Sequence, residues 1–226
     1  MNRKYLSSTL SAVIFLPLTT PDGWHAVQYD RIPANAVRHS ESGLQISVRE
    51  SAGAFVHLLS TNTALTSLSV RGRFTGELRV PQGQQGTKKF DDYVLRLGLI
   101  EPGPRTLNAL QRRTAPGWVR SLFQWLPAES GISRIHSFNL GNDAAQIGRE
   151  VEHPASPFFH ERIVAVPDAD GRFAFTLKLP APIPTIGIWI GSDGDDTRSS
   201  FNVTIEQVEL QAESRSKSVF DAEGRP

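Results

Sequence analysis

An alternation of apolar and polar side chains at every second residue constrains the fold of this chain more than any other feature. In residues 171–179 (GRFAFTLKL), the apolar Phe173, Phe175 and Leu177 are each separated by one other residue. Successive side chains of a β-strand point to opposite faces, so this pattern predicts a strand with one buried and one exposed face. The same period recurs in two further segments: residues 43–49 (GLQISVR) and 93–100 (YVLRLGLI).

Other apolar segments of strand length are separated by clusters of Gly, Pro, Asp and Asn, which are typical of turns. We predict further strands at residues 24–29, 54–59, 67–74, 133–140, 160–166, 185–190 and 201–211. In the last of these, Ile205 and Val208 are out of phase, which predicts a β-bulge near Glu206 and Gln207. About ten strands with little helix predict an all-β fold, a two-sheet antiparallel β-sandwich of the jelly-roll kind.

One segment departs from the strand pattern. Around residues 106–126, Trp118, Leu122 and Trp125 recur at helical spacing, and Pro116 is placed to begin a short helix. The flanking region is basic, with a single acidic residue, Glu129, against these arginines: Arg105, Arg112, Arg113, Arg120 and Arg134. We predict a helical insertion that packs its tryptophans on the sandwich; the alternatives are a lid over a groove or a helix that touches a membrane.

Length and composition narrow the class of protein. The chain has 226 residues, which suits one sandwich domain, predicted here over residues 21–211. With 24 Lys and Arg against 23 Asp and Glu, its net charge gives no reason to expect nucleic acid or an anionic membrane as a partner. The absence of cysteine excludes disulfides, zinc–thiolate sites and thiol nucleophiles. Oligomeric state is left open by the sequence.

The two ends of the chain predict a secreted protein with a polar tail. Arg3 and Lys4 precede the apolar residues 10–18 (LSAVIFLPL), the order found in a secretory signal, so we predict a signal peptide over residues 1–20 and a periplasmic or secreted location. The apolar stretch is shorter than the roughly 20 residues of a membrane-spanning helix, and no transmembrane span is expected. A buried first strand or an uncleaved anchor is the alternative. Residues 212–226 are polar and predicted to be disordered.

Three stretches carry a family resemblance. Residues 23–37 (GWHAVQYDRIPANAV), 88–100 (KKFDDYVLRLGLI) and 186–197 (IGIWIGSDGDDT) resemble, in this order, the opening, middle and closing motifs of the domain-of-unknown-function 3047 family. The matching positions are Gly23, Trp24, Ile32, Pro33, Asp91, Asp92, Tyr93, Asp193, Asp195 and Thr197. The resemblance implies an exported bacterial β-sandwich and brings no established activity.

The chain also departs from that family. Residues 70–74 (VRGRF) and 135–140 (IHSFNL) lack the tryptophans expected at these places, and the basic insertion is atypical. The resemblance therefore implies a divergent member.

An acidic turn follows the strand that ends in IWIG. Three carboxylates fall within four residues: Asp193, Asp195 and Asp196. Carboxylate oxygens are calcium ligands, so a structural calcium ion is the one cofactor that the sequence suggests. An EF-hand is excluded, because the sixth position counted from Asp193 is Arg198 and the twelfth is Thr204. The alternative is a polar turn in which Asp193 and Asp195 accept backbone N–H bonds and Gly194 adopts a positive φ.

A second acidic pair, Asp91 and Asp92, precedes the strand at residues 93–100. If both acidic clusters lie at the same end of the sandwich, they could supply the two carboxylates of a glycoside hydrolase, about 5 Å or about 6.5–9.5 Å apart. Adjacent residues of an extended chain point to opposite faces, so at most one of the two is expected to enter a shared pocket. The alternative is a pair of solvated charges at the end of a loop.

Function is the least determined property. The sequence contains no nucleophile elbow, P-loop or dinucleotide-binding motif, and its histidines lack metal-site spacing. Our leading hypothesis is a non-catalytic, exported β-sandwich that binds a carbohydrate or another cell-envelope component. Trp189 is a further aromatic side chain that could stack on a sugar ring. The predicted ligand-binding residues are Asp91, Asp92, Tyr93, Trp118 and Trp125. The alternatives are a polysaccharide hydrolase or lyase that uses the loop carboxylates, and a structural or assembly subunit of an envelope complex.

Overall fold

The structure is a computed structural model that describes residues 11–127, 130–153, 156 and 158–213. Strands dominate it, and the helices are confined to the predicted insertion. The strands are β1 (Ser11–Phe15), β2 (Trp24–Val27), β3 (Ala36–Ser40), β4 (Gly43–Arg49), β5 (Ala52–Glu77), β6 (Leu95–Gly103), β7 (Gly131–Leu140), β8 (Glu150–Glu152), β9 (Phe159–Ala165), β10 (Arg172–Asp193) and β11 (Ser200–Glu213). The helices are α1 (Gln111–Thr114) and α2 (Gly117–Trp125), with a 3₁₀ turn at Ala144–Gln146.

Two long strands, β5 and β10, run through both layers of the sandwich. The first part of β5 pairs with β2, and its second part pairs with β11. Strand β10 pairs with β5 before and after an interruption at residues 179–182, and its residues 187–191 also pair with β6. The first layer therefore has the order β3-β4-β11-β5-β10, with β1 also on β11, and the second has the order β2-β5-β10-β6-β7-β9-β8. Among the described pairs, β7–β9 is parallel and the others are antiparallel.

The main core lies between the two layers. Its first-layer members include Ile46, Val48, Val203, Ile205 and Phe201. Its second-layer members include Leu95, Leu97, Leu99, Ile188 and Ile190. These residues occupy alternate positions of their strands, so the period-two pattern identified the inner face of each layer correctly, and the predicted β-sandwich is confirmed.

The outer face of the second layer is buried as well. Ile100 and Trp189, which point away from the main core, pack with Leu122 and Leu126 in a second apolar cluster. Leu122 lies on α2 and is fully buried. The insertion therefore covers this layer from outside, which confirms the prediction that it packs on the sandwich.

The strand boundaries differ from the predictions in one systematic way. The pairs predicted at residues 54–59 and 67–74, and at residues 171–179 and 185–190, are single strands, β5 and β10. Between the two predicted parts of β10 lie Pro180, Pro182 and Pro184, and the register with β5 shifts there. Proline cannot donate to the ladder and is tolerated where pairing is irregular, so the chain bends between layers without ending the strand. The predicted bulge is confirmed, because the register shifts between Ile205 and Gln207.

The N-terminal segment joins the sheet. Strand β1 pairs with the end of β11, and the residues after it, Leu16 and Leu18, are buried in the main core. The second half of the predicted signal peptide thus has a place in the fold, whereas residues 1–10 lie outside the described part of the chain. Export and cleavage remain predictions. The predicted disorder of residues 212–226 is wrong for Ala212 and Glu213, which belong to β11, and residues 214–226 are not described.

Within the described residues, no helix has both the length and the apolar character needed to span a membrane.

The burial of Leu122 predicts that Leu122→Ala will lower the free energy of unfolding by about 3 kcal/mol, because it leaves a cavity between α2 and the second layer. Leu110→Ala, in the same insertion but at a side chain that is 69% exposed, is the control and should change stability by less than about 0.5 kcal/mol. Chemical denaturation of the two variants measures this. Equal, small effects would contradict packing of the insertion on the sandwich.

Candidate functional site

A cavity of about 430 Å³ opens on the outer face of the second layer, beside the first turn of α2. Aromatic side chains form one part of its lining: Tyr29, Trp118, Phe159 and Trp189. Carboxylates form another: Asp30, Asp91, Asp92, Asp193, Asp195 and Asp196. Lys88, Arg96 and His153 also line it. Both acidic stretches singled out in the sequence therefore meet at one site.

The aromatic side is held in place by edge-to-face contacts. The ring centroids of Trp118 and Trp189 are 6.2 Å apart with an interplanar angle of 89°. Phe159 contacts both rings, at 5.4 Å from Trp118 and 5.3 Å from Trp189. Such arrangements are favourable for aromatic rings and restrict their rotation. The insertion thus presents Trp118 to the cavity on a fixed support.

Asp30 fixes the start of α2 against the sandwich. Its carboxylate accepts a hydrogen bond from the Gly117 N–H at 2.7 Å and pairs with Arg120 at 3.3 Å. The first N–H groups of a helix lack partners within the helix, so an aspartate is a suitable acceptor there. This contact positions Trp118, the next residue along α2.

The two acidic stretches are joined by hydrogen bonds centred on Asp92. Its carboxylate accepts the Thr197 N–H at 2.7 Å and the Thr197 hydroxyl at 2.5 Å. It also accepts the Asp196 N–H at 3.3 Å, and the Asp91 N–H donates in return to the Asp196 carboxylate at 3.4 Å. Asp92 is 1% exposed, and burial raises its pKa, against the effect of the Thr197 hydrogen bonds. Asp92 therefore serves mainly to hold the two loops together.

Beneath the cavity lies a buried charge cluster around Arg96. Its guanidinium lies 3.3 Å from the Asp91 carboxylate and 2.9 Å from the Asp193 carboxylate, and it also donates to Glu161. The guanidinium also lies 4.4 Å from the centre of the Tyr93 ring. Three carboxylates thus share one guanidinium, and a guanidinium keeps its charge in proteins. Burial raises the pKa of Glu161, which the charge of Arg96 opposes.

Two further groups in the lining, His153 and Asp195, have shifted pKa values. The His153 Nε2 atom lies 3.1 Å from Asp91, and burial, with the positive charge of Arg96, lowers the pKa of His153 to about 4. The imidazole is therefore neutral at pH 7. Burial, with the negative charge of Asp92, raises the pKa of Asp195 to about 6. A carboxyl that titrates so close to neutral pH is well suited to exchange a proton with a ligand.

Two polar atoms of the lining residues are buried without a hydrogen-bond partner among the described residues: Trp189 Nε1 and Asp91 Oδ1. Trp189 is 1% exposed and Asp91 is 9% exposed. An unpaired buried polar group is costly, and such groups are uncommon in folded proteins. One is a donor and the other an acceptor, and both belong to residues that line the cavity.

The predicted ligand-binding residues fall into two groups. Asp91, Asp92 and Trp118 line the cavity. Tyr93 is fully buried below it, where its N–H donates to Asp193. Trp125 lies at the end of α2 and stacks on His25 with ring centroids 4.2 Å apart, outside the cavity lining.

Sequence reasoning missed Arg96, Glu161 and Tyr29. Arg96 lies on the face of its strand opposite Leu95 and Leu97, where the alternation predicted solvent. No signal in the sequence marks Arg96 as buried, because a charged residue on the outer face of a strand is usually hydrated.

The acidic turn is held by side-chain hydrogen bonds. Asp193 accepts the Tyr93 N–H at 2.8 Å through one oxygen and the Arg96 Nε–H at 2.9 Å through the other, which confirms its predicted role as an acceptor for backbone N–H. The positive φ predicted at Gly194 is wrong; it occurs at Arg198, with φ 54°. Glycine is required at 194 for space, because a Cβ there would lie 2.9 Å from a Val48 methyl.

The predicted calcium site involves Asp193, Asp195 and Asp196. No group of three or more His, Asp or Glu side chains in the described part of the chain is arranged to hold a metal ion. A cation bound by Asp193 would compete with Arg96 for the same oxygen. Asp193 therefore fits an arginine partner better than a calcium ion, and calcium remains a prediction.

The contacts of Asp193 predict that Asp193→Ala will lower the free energy of unfolding by about 2–3 kcal/mol, because the Tyr93 N–H and Arg96 each lose an acceptor. Asp170→Ala, in an exposed turn, is the control and should stay within about 0.5 kcal/mol of the parent. Denaturant unfolding of both variants measures the difference. A stable Asp193→Ala protein would contradict the role assigned to this carboxylate.

The raised pKa of Asp195 predicts a pH-dependent difference between the parent and Asp195→Asn. Between the ordinary value of 3.8 and about 6, the folded state holds a proton that the unfolded state has lost. The contribution of Asp195 to stability therefore falls as pH rises through this window, and the loss is complete above it. Because the Asp195 carboxyl is partly exposed, its full pKa shift is not realised as stability. As pH rises through this window, we expect the free energy of unfolding of Asp195→Asn to increase by on the order of 1 kcal/mol relative to the parent. Thermal unfolding at a series of pH values tests this; a gain toward acid pH would contradict it.

No protein-family model matches the chain, and no curated protein matches its sequence. Among solved structures, a xylan-binding module CBM15 is similar with a TM-score of 0.38 at 10% identity, over 89% of this chain and 97% of the module. The N-terminal cellulose-binding domain of Cellulomonas fimi β-1,4-glucanase C is similar with a TM-score of 0.31 at 11% identity, over 88% of this chain and 92% of that domain. Xylanase10C from Cellvibrio japonicus, in complex with xylopentaose, gives 0.34 at 8% identity, over 91% of this chain and 29% of the xylanase. TM-scores this low describe a loose likeness of layout, so a ligand has to be inferred from the cavity itself.

Proposed function

We propose that this protein binds a carbohydrate in the cavity beside α2. The observation that carries the proposal is the meeting of an aromatic wall with a row of carboxylates around one opening. Sugar rings have apolar C–H faces that pack on aromatic rings, and hydroxyls around their edges that donate hydrogen bonds. Trp118 and Tyr29 suit the first requirement, and Asp91 and Asp195 suit the second.

The size and the unpaired groups of the cavity support this proposal. A volume of about 430 Å³ falls within the range of about 300–1,000 Å³ that is usual for small-molecule sites. Trp189 Nε1 and Asp91 Oδ1 offer one donor and one acceptor. A sugar hydroxyl can both accept and donate a hydrogen bond, so it can serve as the partner of either atom.

Hydrolysis of the bound carbohydrate is the second candidate function. Asp195, with a pKa of about 6, could act as a general acid, and Asp91 lines the same cavity. Two carboxyl groups at one site are the arrangement that glycoside hydrolysis needs. Release of reducing ends from polysaccharides, abolished in Asp195→Asn, would establish hydrolysis. Binding without release would establish a binding module.

We also propose that the protein acts outside the cytoplasm, on a glycan or another component of the cell envelope. The motivation is the basic and then apolar order of the N-terminal sequence. Fractionation of cells, with sequencing of the mature N-terminus, tests it. Recovery of the intact chain in the cytoplasm would contradict export.

An assembly subunit has less support. Part of the apolar face of α2, including Leu122, is already buried against its own sandwich. Trp125 remains 38% exposed at the end of the helix.

The position of Trp118 predicts that Trp118→Ala will weaken carbohydrate binding at least about tenfold, because the ligand loses an aromatic platform. Trp125→Ala is the matched control: it removes the same side chain from the same helix, outside the cavity lining, and should leave affinity within about twofold. A glycan array followed by calorimetry measures both variants, with thermal unfolding to confirm that each is folded. Equal losses in the two variants would place the ligand elsewhere, and no binding of any glycan by the parent protein would overturn the proposed function.

A further inference from the structure

The cavity lining contains more acidic than basic side chains. Six aspartates line it, against one lysine and one arginine. Arg96 is already shared by Asp91, Asp193 and Glu161, so it has little charge to offer a ligand. A glycan that carries carboxylate, sulfate or phosphate groups would be repelled by this lining.

The carboxylates differ in how far their own contacts satisfy them. Asp92 is engaged by Thr197, Asp193 by Tyr93 and Arg96, and Asp30 by Gly117 and Arg120. Asp91 is different: one oxygen lies near Arg96 and His153, while the other is buried and has no hydrogen-bond partner among the described residues. This oxygen is an unsatisfied acceptor in a residue that lines the cavity.

From this arrangement, and resting on the carbohydrate-binding function proposed above, we propose that the ligand is an amino sugar whose amino group is free and protonated. An ammonium group has three donors and no acceptor, which suits an unsatisfied carboxylate oxygen better than a hydroxyl does. The faces of Trp118 and Tyr29 attract a cation as well as a sugar ring. A hydroxyl of such a sugar can accept a hydrogen bond, which the Trp189 N–H lacks among the described residues.

Three tetrasaccharides with the same β-1,4 backbone test this directly, since they differ at one substituent. They are the tetramers of glucosamine, N-acetylglucosamine and glucose, which carry an amine, an acetamide and a hydroxyl at the same carbon. Calorimetry at about pH 6, below the pKa of the sugar amine, compares them. We expect the glucosamine tetramer to bind about tenfold more tightly than the glucose tetramer, and the advantage to shrink as salt concentration rises.

Substitutions test whether the Asp91 carboxylate causes the preference for the amine. Asp91→Asn keeps the shape of the side chain and removes its charge, so it should reduce the advantage of the amine to less than about threefold while the glucose tetramer still binds. If Asp91→Asn does not fold, as judged by thermal unfolding, Asp195→Asn replaces it and should reduce the same advantage. Asp170→Asn, on an exposed turn outside the cavity lining, is the control and should leave all three affinities unchanged.

The outcomes separate the two proposals. If the glucose or N-acetylglucosamine tetramer binds as tightly as the glucosamine tetramer, the preference for an amine is overturned and carbohydrate binding stands. An amine advantage that persists in the folded variant also overturns the assignment to the carboxylate. If none of the three binds and no other glycan does, both proposals fall.

Discussion

The burial of Arg96 on the outer face of the second layer is the interaction on which the site depends. Its guanidinium brings together carboxylates from three parts of the chain: Asp91 before β6, Glu161 on β9 and Asp193 at the end of β10. Removing charged groups from water is costly, and the cost is recovered only with good geometry and further hydrogen bonds. Asp193 has both, because its second oxygen accepts the Tyr93 N–H. The same cluster that fixes the loops also places Asp91 at the cavity.

The insertion covers the same face of the second layer. Without α2, Trp189 and Ile100 would face solvent on an open sheet. With Leu122 and Leu126 packed on that face, the layer is covered on both sides, and the first turn of α2 leaves a cavity at the edge of the cover. Asp30 fixes that turn through the Gly117 N–H. Fold and site are therefore linked through one short helix.

The sequence predicted the features that follow from local periodicity. Alternation identified the inner faces of β4, β6 and β10, and a break in phase located the bulge at Glu206. It could not show that β5 and β10 continue through both layers, because the prolines at 180, 182 and 184 also suit a loop. Strand β3 was missed for a related reason: its side chains are at most half-buried, so its pattern is weak.

The site was predictable only in part, because its main contacts join distant residues. The acidic stretches were visible as motifs, but the bonds between Asp92 and Thr197 depend on how β6 and β10 pair. Glu161 and Arg96 gave no signal, since a charged residue on the outer face of a strand is usually hydrated. For Tyr93 the sequence suggested a contact with the ligand. Its ring instead lies below the Arg96 guanidinium and packs against it.

The acidic residues of the cavity differ in whether the protein supplies donors for their oxygens. This difference indicates which charge a ligand should carry. Asp92 and Asp193 accept hydrogen bonds from backbone N–H, hydroxyl and guanidinium donors, so their oxygens already have partners within the protein. Asp91 has one oxygen without such a donor among the described residues, and burial, with the negative charge of Asp92, raises the pKa of Asp195 to about 6. A neutral ligand would leave the surplus of carboxylates in the lining unchanged, whereas a cationic ligand would balance part of it. The surplus of carboxylates over cations therefore says more about the ligand than the aromatic wall does, since aromatic rings accept sugars of any charge.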